Sequence, residues 1–397
     1  MRAHPNNTAR RLLGHLISEG PTHRAELSRA LDVSRTTISN LAAALLEDGT
    51  LVTLEGEAPA ATSPDRPQLK QQLGISPQRG VLVSAVFRMT STTLAVGSLD
   101  GRLLRTAGQE CPRDQPGRER MEQAQRLLST LLAECDLEET QVLRVHLAVN
   151  TQCDRESGEI LAEQGAGAWR GVNPKREASR WSSAPVIIEN AARLISLAEH
   201  HALIAPRPRS LVYVHLSWGI TMGQVVEGTI DPGSHGGAGE LGHVSIDPMG
   251  PPCGCGNRGC LMLYTGLDVI TERLRAVLGA DADVADAVEA MAHGSQACST
   301  IFADAGETVG RALAMVCNIL DPDAIVLGGE LAAAGPEFAE AVRVSLQRRA
   351  LPLVTRTLEL SLATTSDDLH AAGIAALRAM RTQAPLVEEL ASSALDR

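Results

Sequence analysis

The sequence predicts a small winged helix-turn-helix head followed by a two-lobed α/β body, and three observations predict it. Residues 7–48 carry three short apolar runs at helical spacing, separated by turn residues. From Gly80 onward the pattern changes to strand hairpins alternating with helices, the order expected of an α/β domain. A second set of the same kind begins at Leu211, so the body divides in two. At 397 residues the chain exceeds one comfortable hydrophobic core, which agrees with several domains.

In the head, Thr8–Glu19 places Leu12, Leu13, Leu16 and Ile17 on one helical face, and Gly20-Pro21 stops it. Thr22 can cap a second helix, Arg24–Leu31, whose apolar residues are Ala25, Leu27, Ala30 and Leu31. Asp32-Val33 makes a tight turn. Ser34 is a good N-cap for a third helix, Arg35–Asp48, with Ile38, Leu41, Leu45 and Leu46 inward. Helix, turn and capped helix match a helix-turn-helix, whose second helix offers its first residues to the major groove. Ser34, Arg35, Thr36, Thr37, Ser39 and Asn40 suit contacts to phosphates and base edges of a double-stranded DNA operator. The competing reading is a three-helix unit used for protein docking or dimerisation. Leu51–Leu54, a Gly/Pro/Ala-rich loop over 56–67 and Gln68–Leu73 read as strand, loop and strand, a wing.

The boundaries expected are a head at 1–74, a linker at 75–79, a first lobe at 80–192 joined by a C-terminal helix at 366–382, a second lobe at 193–365, and a patternless tail at 383–397. In the first lobe, strands are expected at Val81–Phe87, Thr92–Ser98 and Arg102–Thr106, with Asp100-Gly101 as a hairpin turn. A helix over Pro116–Cys135, strands at Val142–Val149 and Val186–Ile188, and a helix over Ala191–Ala202 follow. The second lobe starts with strands at Leu211–Leu216 and Gly223–Val226, turns helical from Thr265, and has one more strand at Ala324–Leu327.

Hydrophobic residues make up 44% of the chain and aromatics only 2%, so the core must be built from Ala, Leu and Val. No apolar run reaches about 18 residues and no signal peptide is evident, so a cytoplasmic protein without a membrane partner is expected. The net charge of −11 alone argues against nucleic acid. The charge is uneven, however: residues 1–79 carry nine Lys/Arg against eight Asp/Glu, while the acidic excess lies in the remainder. A basic face on the head is therefore compatible with an acidic body.

The densest chemistry lies in His235–Cys260, HGGAGELGHVSIDPMGPPCGCGNRGC. Three of the eight cysteines fall there, and His243 stands ten residues before Cys253. Thiolates and a neutral imidazole are the usual ligands of tetrahedral Zn²⁺. His243, Cys253, Cys255 and Cys260 are the expected ligands, with no position left for water, so the ion should be structural. Cys111, Cys135, Cys153, Cys298 and Cys317 are scattered and read as buried small hydrophobes.

Gly239-Glu240-Leu241-Gly242-His243 followed by Cys-x-Cys-Gly-x-x-Gly-Cys resembles the signature of the ROK family (repressors, open reading frames and kinases). The resemblance implies an actin-like, ribonuclease H-like two-lobed effector domain behind the winged head. It also implies a choice between a sugar kinase and a sugar-responsive regulator. Arg66-Pro67 resembles the Gly-Arg-Pro of the family's repressors, whose arginine is held to reach the minor groove, although Asp65 stands at the glycine.

Against the kinase, the first phosphate loop resembles Asp-x-Gly-Gly-Thr in the family's kinases, and here reads Val86-Phe87-Arg88-Met89-Thr90. The catalytic Asp of Glu-Asn-Asp is replaced in Glu189-Asn190-Ala191, which removes the general base. The second glycine-rich loop reads Trp218-Gly219-Ile220-Thr221-Met222-Gly223.

For a regulator, the resemblance implies that Asn190, Glu240 and His243, with Glu189 beside them, contact a sugar or sugar derivative in the cleft between the lobes. A further family Glu is replaced by Met262, and Gly165 stands roughly where an Asn often precedes the family's Trp, here Trp169. Two outcomes stay open: an effector with fewer polar contacts, or a pocket that no longer senses sugar. The expectation is a repressor of carbohydrate-related genes, working as a homodimer or tetramer, in which lobe closure re-spaces two heads on short linkers.

Overall fold

The computed structural model describes residues 5–55, 71–160, 167–203, 207–364 and 384–396. Arg66, the rest of the 56–70 loop, Gly165 and the helix expected at 366–382 lie outside them. The chain forms two compact units. The first takes the described parts of Met1–Leu147, Pro174–Ile187 and Ala376–Arg397, and the second those of Ala148–Asn173 and Ile188–Ala375.

The first unit begins with α1 (Pro5–Glu19), α2 (Arg24–Ala30) and α3 (Arg35–Glu47). Leu12, Leu13, Leu16, Ile17, Leu27 and Ile38 are fully buried together, as the helical spacing requires. Asp32 takes φ 51°, which lets the chain reverse between α2 and α3. The turn is held by Ser28 Oγ donating to Val33 O (2.7 Å) and by Arg11 Nη2 donating to Leu31 O (2.7 Å). β1 (Leu51–Glu55) and β2 (Gln71–Ile75) pair antiparallel, Leu51 opposite Ile75. The second wing strand thus runs through Ile75 rather than ending at Leu73, because Ile75 continues the apolar alternation into the same core.

β3 (Val81–Phe87), β4 (Ser91–Ser98), β5 (Leu103–Glu110), α4 (Gly117–Ala133), β6 (Val142–Val149), α5 (Pro174–Ala178) and β7 (Val186–Asn190) follow. Their sheet has the order β5-β4-β3-β6-β7. Leu82, Ala95 and Leu99 belong to the same apolar cluster as Leu12, Leu16, Leu73 and Ile75. The head expected as a separate domain at 1–74 therefore shares its core with the strands expected as lobe 1.

The second unit contains α6 (Ala191–Ala202), β8 (Ser210–Leu216), β9 (Ile220–Val226) and β10 (Thr229–Ile230), then α7 (Met262–Thr265), α8 (Leu267–Leu278), α9 (Val284–Ala292) and α10 (Gln296–Leu320). β11 (Ala324–Gly328), α11 (Pro336–Arg349), α12 (Pro352–Thr355) and β12 (Glu359–Leu362) complete it. The sheet order is β10-β9-β8-β11-β12, with β11 parallel to β8 and β12. Val212, Val214, Ile325 and Leu327 from this sheet pack with Phe302, Val309 and Leu313 of α10 and with Phe338 and Val342 of α11. β9 starts at Ile220, three residues earlier than expected, because Ser217 N donates to Gly219 O (3.2 Å) and closes the hairpin at once.

The patternless tail expected at 383–397 is a correction: Ala384–Asp396 forms a helix, α13. Leu390, Ala391 and Ala394 recur at helical spacing, are buried, and join the core of the head. Arg144 on β6 and Glu389 on α13 form an ion pair at 2.6 Å. Among the described residues, no helix is long and apolar enough to cross a membrane.

Candidate functional site

The head presents the residues that the sequence singles out. Ser34, Arg35, Thr36, Thr37, Ser39 and Asn40 are all exposed, while Ile38 between them is fully buried. Ser34 caps α3, its Oγ accepting from Thr37 N at 3.1 Å and lying 2.8 Å from Thr37 Oγ1. Ser34 and Thr37 therefore shape the helix start, and Arg35, Thr36, Ser39 and Asn40 project from it. No acidic residue stands in the first turn, which leaves the positive end of the helix dipole uncovered for an anion.

In the second unit, the ligand atoms of His243, Cys253, Cys255 and Cys260 all lie within 4.8 Å of one another. Cys255 Sγ and Cys260 Sγ are 3.7 Å apart, as are Cys253 Sγ and His243 Nδ1. A disulfide needs sulfurs about 2.05 Å apart. A tetrahedron of metal–sulfur bonds of about 2.3 Å places them about 3.8 Å apart. The donor set and spacing fit a metal ion.

Local hydrogen bonds build this shape: Cys253 N donates to Asn257 O (2.8 Å), Gly259 N to Pro251 O (2.8 Å) and Leu261 N to Val244 O (3.0 Å). Tyr264 Oη donates to Asp247 Oδ2 at 3.0 Å and braces the loop from α7. Burial and the neighbouring thiols push the Cys260 thiol up to about 12. The exposed Cys255 is held below the ordinary thiol range, chiefly by a backbone hydrogen bond from Asn257.

The expected ligand contacts separate into two roles. Asn190 Oδ1 accepts from Ala192 N (2.8 Å), so this side chain caps α6 and keeps its amide NH₂ for another partner. Glu189 differs from expectation. Its Oε1 accepts from Arg193 Nε (2.5 Å) and Asn190 N (2.8 Å), and its Oε2 stands 3.3 Å from Arg155 Nε. Its side chain is 3% exposed, and each of its oxygens faces an arginine.

Arg193 also donates to Ala238 O (2.5 Å) and Gly236 O (2.7 Å), tying α6 to the loop that leads into Glu240. Glu240 is half-buried beside that loop. Gly239, at φ 94°, lies so close to β9 that a Cβ would stand 2.0 Å from Met222 O. Only glycine permits this approach. Sequence reasoning missed Arg193 and Arg155: Glu189 lies near the end of β7 and Arg193 in the first turn of α6, so no single-element pattern pairs them.

The positions aligned with kinase chemistry are filled differently. Val86 and Phe87 are buried at the end of β3. Arg120, 1% exposed on α4, donates through Nη2 to Arg88 O and Ser91 O (both 2.7 Å) and stacks 5.6 Å from the Phe87 ring centre. This hairpin is tied to α4 instead of offering open amides. At the place of the family's catalytic carboxylate, Ala191 is buried at the first turn of α6.

Trp169 is buried, and its Nε1 donates to Asn150 Oδ1 at 3.0 Å. Met262 starts α7 and packs on the core of the second unit.

The ROK family model matches residues 89–381. A glucokinase of Halalkalibacterium halodurans is 30% identical over 228 residues, covering 52% of this chain and 67% of that protein. A putative xylose repressor of Caldicellulosiruptor sp. (strain Rt8B.4) is 23% identical over 352 residues, covering 85% of this chain and 87% of that one. A crystal structure of a ROK family transcriptional regulator, homolog of the E. coli MLC protein, has a TM-score of 0.74 at 20% identity and covers 99% of both chains. The last likeness extends the shared fold over the head as well as the body.

Proposed function

The chain belongs to the ROK family, with its actin-like, ribonuclease H-like fold, and from that premise we propose that it is a sequence-specific DNA-binding regulator, a repressor of carbohydrate-related genes whose body binds a sugar or sugar derivative without phosphorylating it. The observation that carries this reading is the capped, exposed, polar start of α3 on a helix-turn-helix whose other face is buried. Two further observations support it: Ala191 stands where a catalytic base would be, and the likeness to a putative xylose repressor covers 85% of this chain.

Arg35, Thr36, Ser39 and Asn40 are assigned to the operator, with Ser34 and Thr37 holding the helix start, and Arg66, outside the described residues, is assigned to it as well. Asn190, Glu240 and His243 are assigned to the effector. His243, Cys253, Cys255 and Cys260 would hold a structural Zn²⁺, which when bound cross-links the loop and fills the coordination of its four ligands. His243 faces the sulfurs through Nδ1, so its Nε2 is the nitrogen left for an effector hydroxyl. The protein works as a homodimer or tetramer on paired half-sites, and effector binding favours one conformation over another.

Selection of bound duplexes from a random pool tests this reading. The expected result is an enriched, two-fold symmetric sequence. No enrichment, or ADP release in a coupled assay with any hexose or pentose, overturns it.

The engagement of both Glu189 oxygens by arginines favours a second reading, a regulator whose pocket answers to no sugar. A thermal shift against a sugar panel separates the two: stabilisation by a sugar supports the first, and none supports the second.

A further inference from the structure

Between the wing and β3, the chain was expected to be a plain linker, yet Ile75 has both its backbone groups held by the hairpin between β4 and β5. Ile75 N donates to Asp100 Oδ2 at 2.6 Å, and Ile75 O accepts from Arg102 Nη2 at 2.6 Å. Arg102 Nε bridges both oxygens of Asp100, at 3.0 and 3.2 Å, and Ser98 Oγ donates to Asp100 Oδ1. The Asp100 side chain is fully buried, and that of Arg102 is a quarter exposed. A buried carboxylate is stable only when its lone pairs are met by donors, and here a backbone amide, a hydroxyl and a guanidinium meet them.

The neighbouring backbone is adapted to the same contact. A Cβ on Gly74 would stand 2.7 Å from Asp100 Oδ2 and 2.6 Å from Leu54 Cδ1, so the close approach depends on glycine there. Ser76 N donates to Thr50 O (2.9 Å), and Arg79 pairs with Asp48 at 3.5 Å, just past the end of α3. Gln78 Nε2 donates to Asp136 O (3.3 Å), beyond α4. Beneath these bonds, Ile75, Leu82, Ala95 and Leu99 lie in one apolar cluster with α1 and α3.

We propose that Asp100 and Arg102 are positioning residues for the reading head: they clamp the wing strand β2 to the β4–β5 hairpin, so that head and hairpin open and move as one body. The consequence for DNA rests on the regulator reading, since a clamped head would take its orientation from the first unit and not from a flexible tether. The clamp itself does not rest on that reading, and hydrogen exchange tests it without any ligand.

In the wild-type chain, exchange measured across sub-denaturing guanidinium should give α1, α3 and β3–β4 the same opening free energy and denaturant dependence. Asp100→Ala should raise exchange in α1–α3 at least tenfold while α10 and β11 stay unchanged. Asp100→Asn, which keeps an acceptor for Ile75 N, should recover part of the protection. If Asp100→Ala does not fold, Arg102→Met and Asp100→Asn carry the comparison. A wild-type head that opens at lower denaturant than β3–β4, or variants with unaltered head protection, would overturn the clamp.

A second arm uses the duplex enriched by selection. Asp100→Asn should bind it about tenfold more weakly although it lies outside the head, and equal binding would overturn the positioning role. Should the wild type enrich no duplex, the regulator reading fails while the exchange result still decides the clamp.

Discussion

Arg193, in the first turn of α6, donates at 2.5 Å to Oε1 of Glu189 near the end of β7, and the same guanidinium reaches Gly236 O and Ala238 O. Both side chains are almost fully buried, at 2% and 3% exposure. An exposed ion pair contributes at most about 1 kcal/mol. A buried one is different: attraction is offset by desolvation while both charges are present, but either charge left alone is severely destabilising. The pair therefore organises the site through what its absence would cost. It joins the cap of α6, made by Asn190, to the loop that carries Glu240.

Removing one charge should show this. Arg193→Met is expected to destabilise the second unit by about 3–5 kcal/mol, leaving Glu189 buried beside Arg155 alone. The double variant Glu189→Leu, Arg193→Met should recover much of that loss, since well-packed apolar replacements of buried pairs are often neutral. Guanidinium titration of both variants is the measurement. Equal destabilisation of single and double variants would show that the loop contacts of Arg193, and not its charge, dominate.

Zinc analysis of purified protein should give about one ion per chain from the four-ligand site of His243, Cys253, Cys255 and Cys260. Cys260→Ser, at the buried ligand, should abolish it, and Cys255→Ser, at the exposed one, should weaken it and raise sensitivity to chelators. In both variants the loop from Val244 to Cys260 should lose hydrogen-exchange protection. A metal-free native protein with this loop still protected would refute the assignment.

Arg35→Ala should weaken binding to the selected duplex by about 1–3 kcal/mol if Arg35 reads a base edge. If it meets a phosphate, the salt slope should fall by about one instead, with all sequences affected alike. Ser34→Ala should cost about 1 kcal/mol of stability by leaving Thr37 N uncapped, with weaker DNA binding following from the frayed start. Unchanged binding for Arg35→Ala would remove Arg35 from the operator contacts.

Much of this was legible in the sequence because it is local. The bounds of β3, β6 and α6 coincide with the alternation and helical spacing that predicted them. The metal-fitting quartet was visible because cysteines crowd one short loop. What stayed hidden depends on partners far along the chain. Glu189 reads as a site carboxylate until Arg155, more than thirty residues away, is placed against it. Asp100-Gly101 reads as a hairpin turn, and nothing local says that the aspartate also holds Ile75. The burial of α13 on the head depends on a surface far upstream in sequence.

His200 offers a test of linkage. It is buried on α6, its ring Nε2 lying 3.0 Å from Pro208 O, and burial holds its pKa below the ordinary value of 6.5, with Arg207 adding to the effect. The unfolded chain therefore binds the proton more readily than the folded one. Stability from this group is fully present above the unfolded pKa and is lost as pH falls through it toward the lower folded value. Urea midpoints should fall between pH 7 and pH 5, and His200→Gln, which can still donate to Pro208 O, should flatten that decline. An identical pH profile for the variant would show that other groups cause it.

The helix at the chain's end provides the last test, because it joins the head core from the far end of the sequence. Leu390 is 2% exposed among residues of α1, so Leu390→Ala should cost about 2–5 kcal/mol, the range for a buried leucine whose cavity collapses only in part. A chain of two units need not unfold in one step, so a single melting point is a poor readout. Exchange of the α1 amides is the better one. It should accelerate in Leu390→Ala while α10 amides stay as they were, and Glu389→Ala, which removes only a partly exposed ion pair with Arg144, should change α1 exchange little. If Leu390→Ala leaves α1 protected, α13 rests on the head without stabilising it, and the shared core described for the first unit ends at the β strands.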